Sequence, residues 1–370
     1  MSRTVRWRSP GRVNVIGEHT DYNEGFCLPM AIVQGCNALA VGRDDDTVEV
    51  SSAQRTDSVL VRLADAEPGV LTGDEGWASY VVGVIWALQK RGHRVPGISI
   101  SVDGDVPAGA GLSSSAALEC AVAAAVNDLA GLGLDRAELV SVARQSENDF
   151  VGLPNGGMDQ LASVFGQRDH VLLCDMRSLD VEPVRFSLAE SGLTLLVVNS
   201  RAPHQLTDGH YAQRRASCDE AARRLGVAAL RDVSMSDLPA ALARLDDALL
   251  ARRTRHVVTE NDRTLAVAEL LRRGQVREIG PLLSASHASM RDDFEITVAE
   301  VDLAAEVLES SGAYGARMTG GGFGGCVIAL IDADRAWHAA GQVTQAFREH
   351  EFAAPDAFTA TAMPGTHPLV

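Results

Sequence analysis

The order of extended and helical patterns along this chain limits its fold more than any other feature of the sequence. The first sixty residues contain short β-prone segments separated by acidic or glycine-containing turns. Further strand patterns then alternate with helical ones, but no regular strand–helix–strand unit repeats. A chain of this kind is expected to form an α+β fold with mixed sheets and helices, and not a doubly wound parallel sheet.

Strands are predicted at residues 36–43, 47–52, 58–63, 97–102, 170–176, 193–199, 313–319, 326–331 and 358–362. Helices are predicted at residues 77–91, 113–129, 136–150, 158–165 and 335–350, and across most of 207–310 with breaks near 233–239 and 274. The length of 370 residues fits two domains better than one, and a hydrophobic content of 46% suffices for two cores. We place the boundary between residues 168 and 193, which predicts an N-terminal domain of residues 1–180 and a C-terminal domain of residues 181–370.

The charged residues exclude two common ways of binding a nucleoside triphosphate. The net charge is −16, and Lys90 is the only lysine among the 33 basic residues. Its context, ALQKRGH, matches neither a G-x-x-x-x-G-K-[ST] loop nor the strand lysine of a protein kinase. An acidic chain without a basic stripe is also not expected to bind nucleic acid.

Hydropathy and cysteine usage predict a cytoplasmic protein without a membrane anchor. The most apolar stretch, residues 116–126, is too short to cross a bilayer and contains Glu119. The basic N-terminal segment is not followed by the apolar region of an export signal. The six cysteines are scattered and form no C-x-x-C pair, which is typical of reduced, partly buried thiols and not of a zinc site.

Residues 11–23, GRVNVIGEHTDYN, collect several polar side chains in one short segment after an apolar stretch. Two interpretations are about equally supported by this chemistry: a solvated turn between strands, or a recognition loop for a polyhydroxylated ligand. Carboxylates accept hydrogen bonds from sugar hydroxyls, and an imidazole can donate or accept one.

Residues 107–119, PAGAGLSSSAALE, join a turn of small residues to the start of the alanine-rich helix. The N–H groups and the dipole of a helix N-terminus favour an anion such as phosphate. The alternative is an ordinary serine-capped helix after a glycine turn. Three serines exceed what one cap requires, and this favours the phosphate interpretation.

Residues 315–326, GARMTGGGFGGC, contain five glycines among positions 320–325. The segment is either a loose or bulged turn, or a loop packed closely beside the first glycine segment. Two carboxylates lie between these motifs: Glu147 on a helix in QSENDFVG, and Asp159 at a helix start after the turn PNGG. They could converge on one site, although most such pairs are surface acids.

Together these motifs resemble the GHMP kinase superfamily and, within it, the galactokinase family. The most specific is GRVNVIGEHTDYN, which is similar to the galactokinase signature almost letter for letter. The glycine–serine segment resembles the superfamily's phosphate loop, GGMDQ the segment of the catalytic aspartate, and GARMTGGGFGGC the family's third motif. The motifs span residues 11–326, and the resemblance implies a two-domain GHMP kinase-like fold with the active site in the cleft between the domains.

The resemblance also implies an activity and a role for each matching residue. The activity is Mg²⁺-assisted transfer of the γ-phosphoryl group of ATP to the C1 hydroxyl of α-D-galactose, without an obligate protein partner. Asp159 would be the base, and Arg12 its positively charged companion. The galactose pocket would comprise Glu18, His19, Thr20, Asp21, Gly156 and Tyr211. The triphosphate would lie against Gly109, Ala110, Gly111, Leu112, Ser113, Ser114 and Ser115. Trp77, in a W-x-x-Y-x-x-G segment, would contact the adenine, and Ser115 and Glu147 would bind Mg²⁺.

Three features depart from the family's pattern. Asn148 occupies a position where a histidine commonly follows the metal-binding glutamate, and Asn155 one where a cysteine often precedes the glycine of the aspartate segment. The stretch HQLTDGHY before Arg214 is looser than usual, which bears on the assignment of Tyr211. These departures concern affinity and sugar selectivity more than activity. Two alternatives therefore stay open: a related kinase for N-acetylgalactosamine or arabinose, and a non-catalytic sugar sensor on the same scaffold.

Overall fold

The structure, a computed structural model, describes residues 3–107, 109–202 and 207–369 of the chain. The strands are β1 Thr4–Asn14, β2 Phe26–Cys27, β3 Pro29–Gly42, β4 Thr47–Ser52, β5 Val59–Arg62, β6 Ile98–Gly104, β7 His170–Asp175, β8 Asp180–Arg185, β9 Leu193–Asn199, β10 Gly315–Thr319, β11 Cys326–Asp332, β12 Asp356–Ala360 and β13 His367–Pro368. The α-helices are α1 Ser79–Lys90, α2 Ser114–Ala130, α3 Arg136–Gln145, α4 Met158–Phe165, α5 Thr207–Leu225, α6 Leu238–Arg244, α7 Ala248–Arg272, α8 Gly280–Ser289, α9 Ala299–Ser310 and α10 Ala336–Glu349.

The N-terminal part of the chain is built on a six-stranded sheet in the order β13-β1-β3-β6-β4-β5. All its neighbouring strands are antiparallel except β4 and β6, which are parallel. Helix α2 packs against β1 and β3, and its alanines let the helix backbone approach the sheet closely. Because residues 120–126 of this helix are all fully buried, α2 is the central helix of this part. It ends at Gly131, whose φ of 62° suits a glycine C-cap.

The C-terminal part contains a four-stranded antiparallel sheet in the order β10-β11-β9-β12. Helices α8 and α9 pack against β10, and α10 packs against α9 and β9. The long helix α7 contacts α5 and α8 and also reaches β2 and β8.

Several contacts join the two parts around a shared interior. A small sheet combines β2 with β7 and β8. One apolar cluster combines Val13 of β1 and Val15, just after β1, with Leu195 and Val197 of β9. Strand β13 pairs with β1, so the last described residues return to the N-terminal sheet. The C-terminal ends of β1 and β10 meet the N-terminus of α2 in this region, and a cleft opens there.

The structure confirms the predicted α+β class, and most predicted elements coincide with observed ones. Strands β1, β2, β8 and β13 and residues 29–35 of β3 were not predicted individually. Arginines alternate along β1, and Pro183 interrupts the pattern of β8. The helix predicted at 77–91 starts as a 3₁₀ turn, Gly73–Ala78, before α1. The helix predicted at 136–150 ends at Gln145 and continues as a π-helical turn, Ser146–Val151. Of the helices in the described ranges, none is long and apolar enough to cross a membrane.

Candidate active site

A cleft of about 690 Å³ lies between the two parts of the chain, within the usual size of small-molecule sites. Three segments of the predicted motifs line it: the β1–β2 loop (residues 15–25), the glycine–serine loop (residues 109–113) with the first turn of α2, and the β10–β11 loop (residues 320–325). Residues between Glu147 and Asp159, and Tyr211 of α5, complete the lining.

Asp159 lies in the first turn of α4 and is bound from two sides. The N-cap of α4 is Gly157, whose φ of 102° favours glycine and turns the chain into the helix. One carboxylate oxygen of Asp159 accepts a hydrogen bond from Nε of Arg12 at 2.8 Å. The other accepts one from the hydroxyl of Ser113. Because both oxygens are held, the direction of this carboxylate in the cleft is fixed.

Arg12 links Asp159 to the glycine–serine loop. It lies next to a register shift of β1 against β3 between Pro10 and Arg12, and only 5% of it is exposed. Its second bond runs from Nη1 to the carbonyl oxygen of Gly111 at 2.6 Å. Burial opposes its charge, but the carboxylates of Asp159 and Glu18 outweigh this effect and raise the pKa of Arg12. The guanidinium is therefore a permanent cation inside the cleft.

The N-terminus of α2 is not an ordinary serine cap. Ser113, the N-cap residue, has left-handed backbone angles of φ 60° and ψ 52°, and its side chain forms no capping hydrogen bond. Its hydroxyl donates to Asp159 instead. A non-glycine residue in this conformation requires support from its surroundings and often marks a functional site. The observation favours the phosphate interpretation of the glycine–serine segment over the capping one.

Glu147 and Ser115 form a pair of oxygen donors at the edge of the cleft. The hydroxyl of Ser115 donates to Oε1 of Glu147 at 2.7 Å. The other oxygen of Glu147 accepts hydrogen bonds from the amides of Asn155 at 2.8 Å and Gln160 at 2.6 Å. Burial raises the pKa of Glu147 to about 7, against the lowering effect of the Ser115 hydrogen bond.

This donor set fits Mg²⁺, which prefers one or two carboxylates, hydroxyl or water oxygens and the phosphates of a nucleotide. A divalent cation beside Glu147 would favour its ionised form and offset the effect of burial. Among residues 3–107, 109–202 and 207–369, no group of three or more His, Cys, Asp and Glu residues is arranged to hold a metal. Phosphate and water oxygens would therefore supply the remaining ligands.

The β1–β2 loop brings Glu18, His19 and Asp21 to the opposite side of the cleft. Oε1 of Glu18 accepts a hydrogen bond from the backbone N–H of Gly320 at 2.9 Å. Burial raises the pKa of Glu18, although the guanidinium groups of two arginines act in the opposite direction. Burial and the nearby Asp159 carboxylate also raise the pKa of Asp21, whose Oδ2 accepts from the N–H of Gly156 at 3.0 Å.

His19 is a neutral imidazole in this site. Burial lowers its pKa to about 3. Its Nε2 lies 3.0 Å from the carbonyl oxygen of Gly321, which can only accept, so Nε2 carries the proton. The remaining nitrogen, Nδ1, then accepts from the hydroxyl of Tyr22 at 2.8 Å. The ring of Tyr211 lies 5.2 Å from that of His19, which places Tyr211 beside the β1–β2 loop.

The glycines of the β10–β11 loop permit a close approach to the glycine–serine loop. A Cβ atom on Gly320, where φ is 94°, would lie 2.7 Å from the carbonyl oxygen of Gly111. One on Gly325 would lie 3.1 Å from the carbonyl oxygen of Ala110. The prediction that the third motif packs beside the first glycine segment is therefore confirmed, and the loose-loop interpretation is wrong.

Comparisons with known proteins agree with these motifs. Residues 2–41 match the family model described as the galactokinase galactose-binding signature, residues 79–167 that of the GHMP kinases N terminal domain, and residues 267–349 that of the GHMP kinases C terminal. The chain is 46% identical to the galactokinase of Streptomyces coelicolor over 366 residues, which cover 98% of this chain and 94% of that protein. It is also 46% identical to the galactokinase of Mycobacterium tuberculosis over 362 residues, 98% of both chains.

A solved structure is similar over the same length. The crystal structure of Lactococcus lactis galactokinase complexed with galactose matches with a TM-score of 0.94 and 34% sequence identity, covering 99% of this chain and 95% of that one. This chain belongs to the galactokinase family. Membership confirms the predicted two-domain GHMP kinase fold.

Ten of the residues that the galactokinase resemblance singled out line the cleft together: Arg12, Glu18, His19, Asp21, Gly109, Gly111, Ser115, Glu147, Asp159 and Tyr211. The others lie behind this surface or away from it: Thr20, Trp77, Ala110, Leu112, Ser113, Ser114 and Gly156. Thr20 is fully buried, and its hydroxyl is bonded within the loop to the carbonyl oxygen of Gly17. Trp77 lies in the 3₁₀ turn before α1 and packs against the core.

The two asparagines that depart from the galactokinase pattern contact each other. Oδ1 of Asn148 accepts from the backbone N–H of Asn155 at 2.8 Å, and the amide of Asn155 donates to Glu147. Both asparagines therefore lie on the Glu147 side of the cleft. Sequence reasoning missed Gln160, the second amide on Glu147, because its only signal is a polar residue that directly follows Asp159 in a buried helix.

Proposed function

We propose that this protein transfers the γ-phosphoryl group of ATP to the C1 hydroxyl of α-D-galactose, giving galactose 1-phosphate and ADP. The observation that carries the proposal is the double anchoring of Asp159. Arg12, from the strand that leads into the β1–β2 loop, and Ser113, from the glycine–serine loop, each donate to one of its oxygens. A carboxylate held between a hydroxyl-binding side and a phosphate-binding side suits transfer of a phosphoryl group to an alcohol.

Asp159 acts as the general base in this proposal. The C1 oxygen forms a bond to the γ-phosphorus as the bond from that phosphorus to the bridging oxygen of ADP breaks. Asp159 accepts the hydroxyl proton, and ADP leaves with the electron pair of the broken bond. A correctly positioned general base raises the reaction rate roughly 10²–10⁴-fold. Arg12 supplies a fixed positive charge beside the reacting groups and keeps Asp159 in place.

The sugar hydroxyls are bound by the β1–β2 loop. Glu18 and Asp21 accept hydrogen bonds from them, and the neutral His19 and Tyr211 complete the pocket. Gly156 contributes through its N–H, which orients Asp21. We do not include Thr20 among the sugar contacts, since its hydroxyl is already bonded inside the loop.

The triphosphate is bound by residues 109–115, where the N-terminus of α2 and the permanent charge of Arg12 favour an anion. Ser115 and Glu147 would hold Mg²⁺, which would supply positive charge to neutralise the phosphates. The contact of Trp77 with adenine remains part of the proposal. We also propose a domain boundary at 180/181, where β8 begins, and a cytoplasmic location, which the six free cysteines support.

A coupled assay of ADP release tests the function on a panel of sugars, with and without Mg²⁺. We expect turnover with galactose that depends on Mg²⁺, and little turnover with N-acetylgalactosamine or arabinose. A higher kcat/KM with one of these sugars would identify the related kinase. Sugar binding in calorimetry without turnover on any sugar would identify the sensor and contradict the proposal.

A further inference from the structure

Helix α7 contacts the β1–β2 loop through buried polar side chains that no sequence motif predicted. His256 and Glu260 are fully buried, and 8% of Asn261 is exposed. We call these three residues the α7 platform. Each of them forms a hydrogen bond with the backbone of the loop or of the residue that follows it.

The platform binds both ends of the loop. Oε1 of Glu260 accepts from the N–H of Gly17 at 3.0 Å and lies 3.4 Å from the N–H of Glu18. Nε2 of His256 donates to the carbonyl oxygen of Glu18 at 3.1 Å. Oδ1 of Asn261 accepts from the N–H of Phe26 at 2.8 Å. The peptide groups on both sides of Glu18 are therefore fixed from α7.

Glu260 is the charged member of the platform. Its Oε1 also accepts from the hydroxyl of Ser286 at 2.7 Å, and its Oε2 accepts from Nε of Arg263 at 2.9 Å. Burial opposes the charge of Glu260, but Arg263 and Arg317 outweigh burial and lower its pKa to about 2. Glu260 is thus a fixed anion next to two loop N–H groups.

Arg317 connects this anion to Glu18. It is fully buried on β10, and its Nη2 lies 3.5 Å from Oε1 of Glu18 and 3.8 Å from Oε1 of Glu260. Its Nη1 donates to the carbonyl oxygens of Asn14 and Val15, so the guanidinium cannot move freely. If Glu260 lost its charge, Glu18 would be the one carboxylate left within ion-pair distance of Arg317 among the residues that the structure describes.

The loop needs such support because its backbone is strained. Gly17 has a φ of 99°, and His19, which has a side chain, has a φ of 59°. A non-glycine residue persists in this region only where surrounding contacts impose it. A Cβ atom on Gly17 would also lie 2.5 Å from the carbonyl oxygen of Phe26, so the loop folds tightly on itself.

We propose that Glu260 is a positioning residue for the sugar: from α7 it fixes the backbone of the β1–β2 loop and the direction of the Glu18 carboxylate. It does not line the cleft, so it acts through Glu18 and not by contact with the ligand. The inference rests on the proposed sugar kinase activity, because it assigns Glu18 to sugar binding.

The test is the Glu260→Gln variant, which keeps the size of the side chain but removes its charge. We expect the KM for galactose to rise tenfold or more, while kcat and the KM for ATP stay within about twofold. In a Glu18→Gln background, Glu260→Gln should raise the KM for galactose less than it does in the wild-type background, since both changes act through one carboxylate. The matched control is Glu269→Gln on the exposed side of the same helix, where Glu269 pairs with Arg273.

A purely structural role would give a different result. A smaller folded fraction lowers kcat and leaves the KM for galactose unchanged. The proposal is overturned if Glu260→Gln shows this result, or if both its kcat and its KM for galactose are those of wild type. If this variant is recovered unfolded, Ser286→Ala replaces it, because that change removes one hydrogen bond to Glu260 and no charge. A rise in the galactose KM of about threefold then supports the proposal, and an unchanged KM refutes it.

A second measurement separates this inference from the proposed function. Hydrogen exchange of the amides of Gly17 and Glu18, which donate to Glu260, should be faster in Glu260→Gln than in wild type or Glu269→Gln. Wild-type protein without turnover on any sugar contradicts the proposed function, and the exchange rates still report on the platform. Wild-type exchange rates in Glu260→Gln overturn the inference even if galactose is phosphorylated.

Discussion

Gly156→Ala tests how the proposed sugar-binding side of the cleft is held together. A Cβ atom at this position would lie 2.6 Å from Oδ2, 2.8 Å from Cβ and 2.7 Å from the backbone carbon of Asp21. Since carbon contacts are normally near 3.5 Å, the two segments must separate by about 0.8 Å. Rotation of the Asp21 side chain cannot relieve the contact with its own backbone. The 3.0 Å hydrogen bond from Gly156 to Asp21 is then lost or distorted.

A displacement of this size in a residue that positions the substrate lowers catalytic efficiency by up to about 10²-fold. We therefore expect the KM for galactose to rise roughly 10–100-fold, corresponding to about 1.4–2.7 kcal/mol. Because Asp159 keeps its bonds to Arg12 and Ser113, kcat should change much less, and the KM for ATP should not change. Direct calorimetric titration with galactose should show the same loss of affinity.

The matched control is Gly42→Ala, where a Cβ atom would meet no other atom within 4 Å. Both variants are assayed by coupled ADP release over a range of galactose concentrations at saturating ATP. Circular dichroism and thermal unfolding establish that each variant is folded. A folded Gly156→Ala protein with the wild-type KM for galactose would refute the reasoning, since Asp21 would then tolerate displacement or not bind the sugar.

Asp159→Asn leaves a side chain that can still accept and donate hydrogen bonds in place, but it removes the proton acceptor, so kcat should fall by roughly 10²–10⁴ while galactose binding persists. The exposed Asp149→Asn is its control, and near-normal turnover in folded Asp159→Asn contradicts the assignment of the base. Glu147→Gln should shift the Mg²⁺ titration of turnover to concentrations roughly 10–100-fold higher, and an unchanged titration removes Glu147 from the metal site. Burial lowers the pKa of His256 to about 4 in the folded protein, whereas the pKa in the unfolded chain is near 6.5. Between pH 6.5 and pH 4 the unfolded chain therefore binds a proton that the folded protein does not, and the folded protein loses stability as the pH falls. In urea unfolding at successive pH values, the stability of wild type relative to His256→Gln should therefore fall by about 3 kcal/mol over this window, and a constant difference would contradict the burial argument.

Local patterns in the sequence predicted the elements whose boundaries depend on nearby residues. Helix α4 and strand β9 occupy the predicted residues 158–165 and 193–199. Helix α2 begins and ends within one residue of the prediction, because a run of alanines precedes the C-cap Gly131. The motifs likewise predicted most of the cleft lining, since the residues of each motif are close together in the chain.

Features that depend on distant segments could not be predicted in this way. Glu147 reaches Ser115 from a π-helical turn, which departs from the 3.6-residue period on which helix prediction relies. Ser113 has the residue type of an N-cap, but its left-handed backbone, its missing capping bond and its contact with Asp159 are visible only in the structure. Glu260 lies in a helix without a recognisable motif. Its contacts are with a loop more than 200 residues away in the chain, which the local sequence does not indicate.

The lysine-poor composition of this chain has a structural counterpart in the cleft. Lys90 pairs with Glu67 at 2.9 Å at the surface and does not line the cleft. Among the described residues that line the cleft, the cation is Arg12, whose planar guanidinium donates from Nε to Asp159 and from Nη1 to the carbonyl oxygen of Gly111. A lysine is a point charge on a flexible stem and has no fixed fork that could hold both partners in one geometry. Since β1 continues from Arg12 into the β1–β2 loop, this strand is in contact with Asp159 and the glycine–serine loop and also leads to Glu18 and Asp21. Position 12 therefore requires the two fixed donor directions of an arginine, which a positive charge alone would not supply.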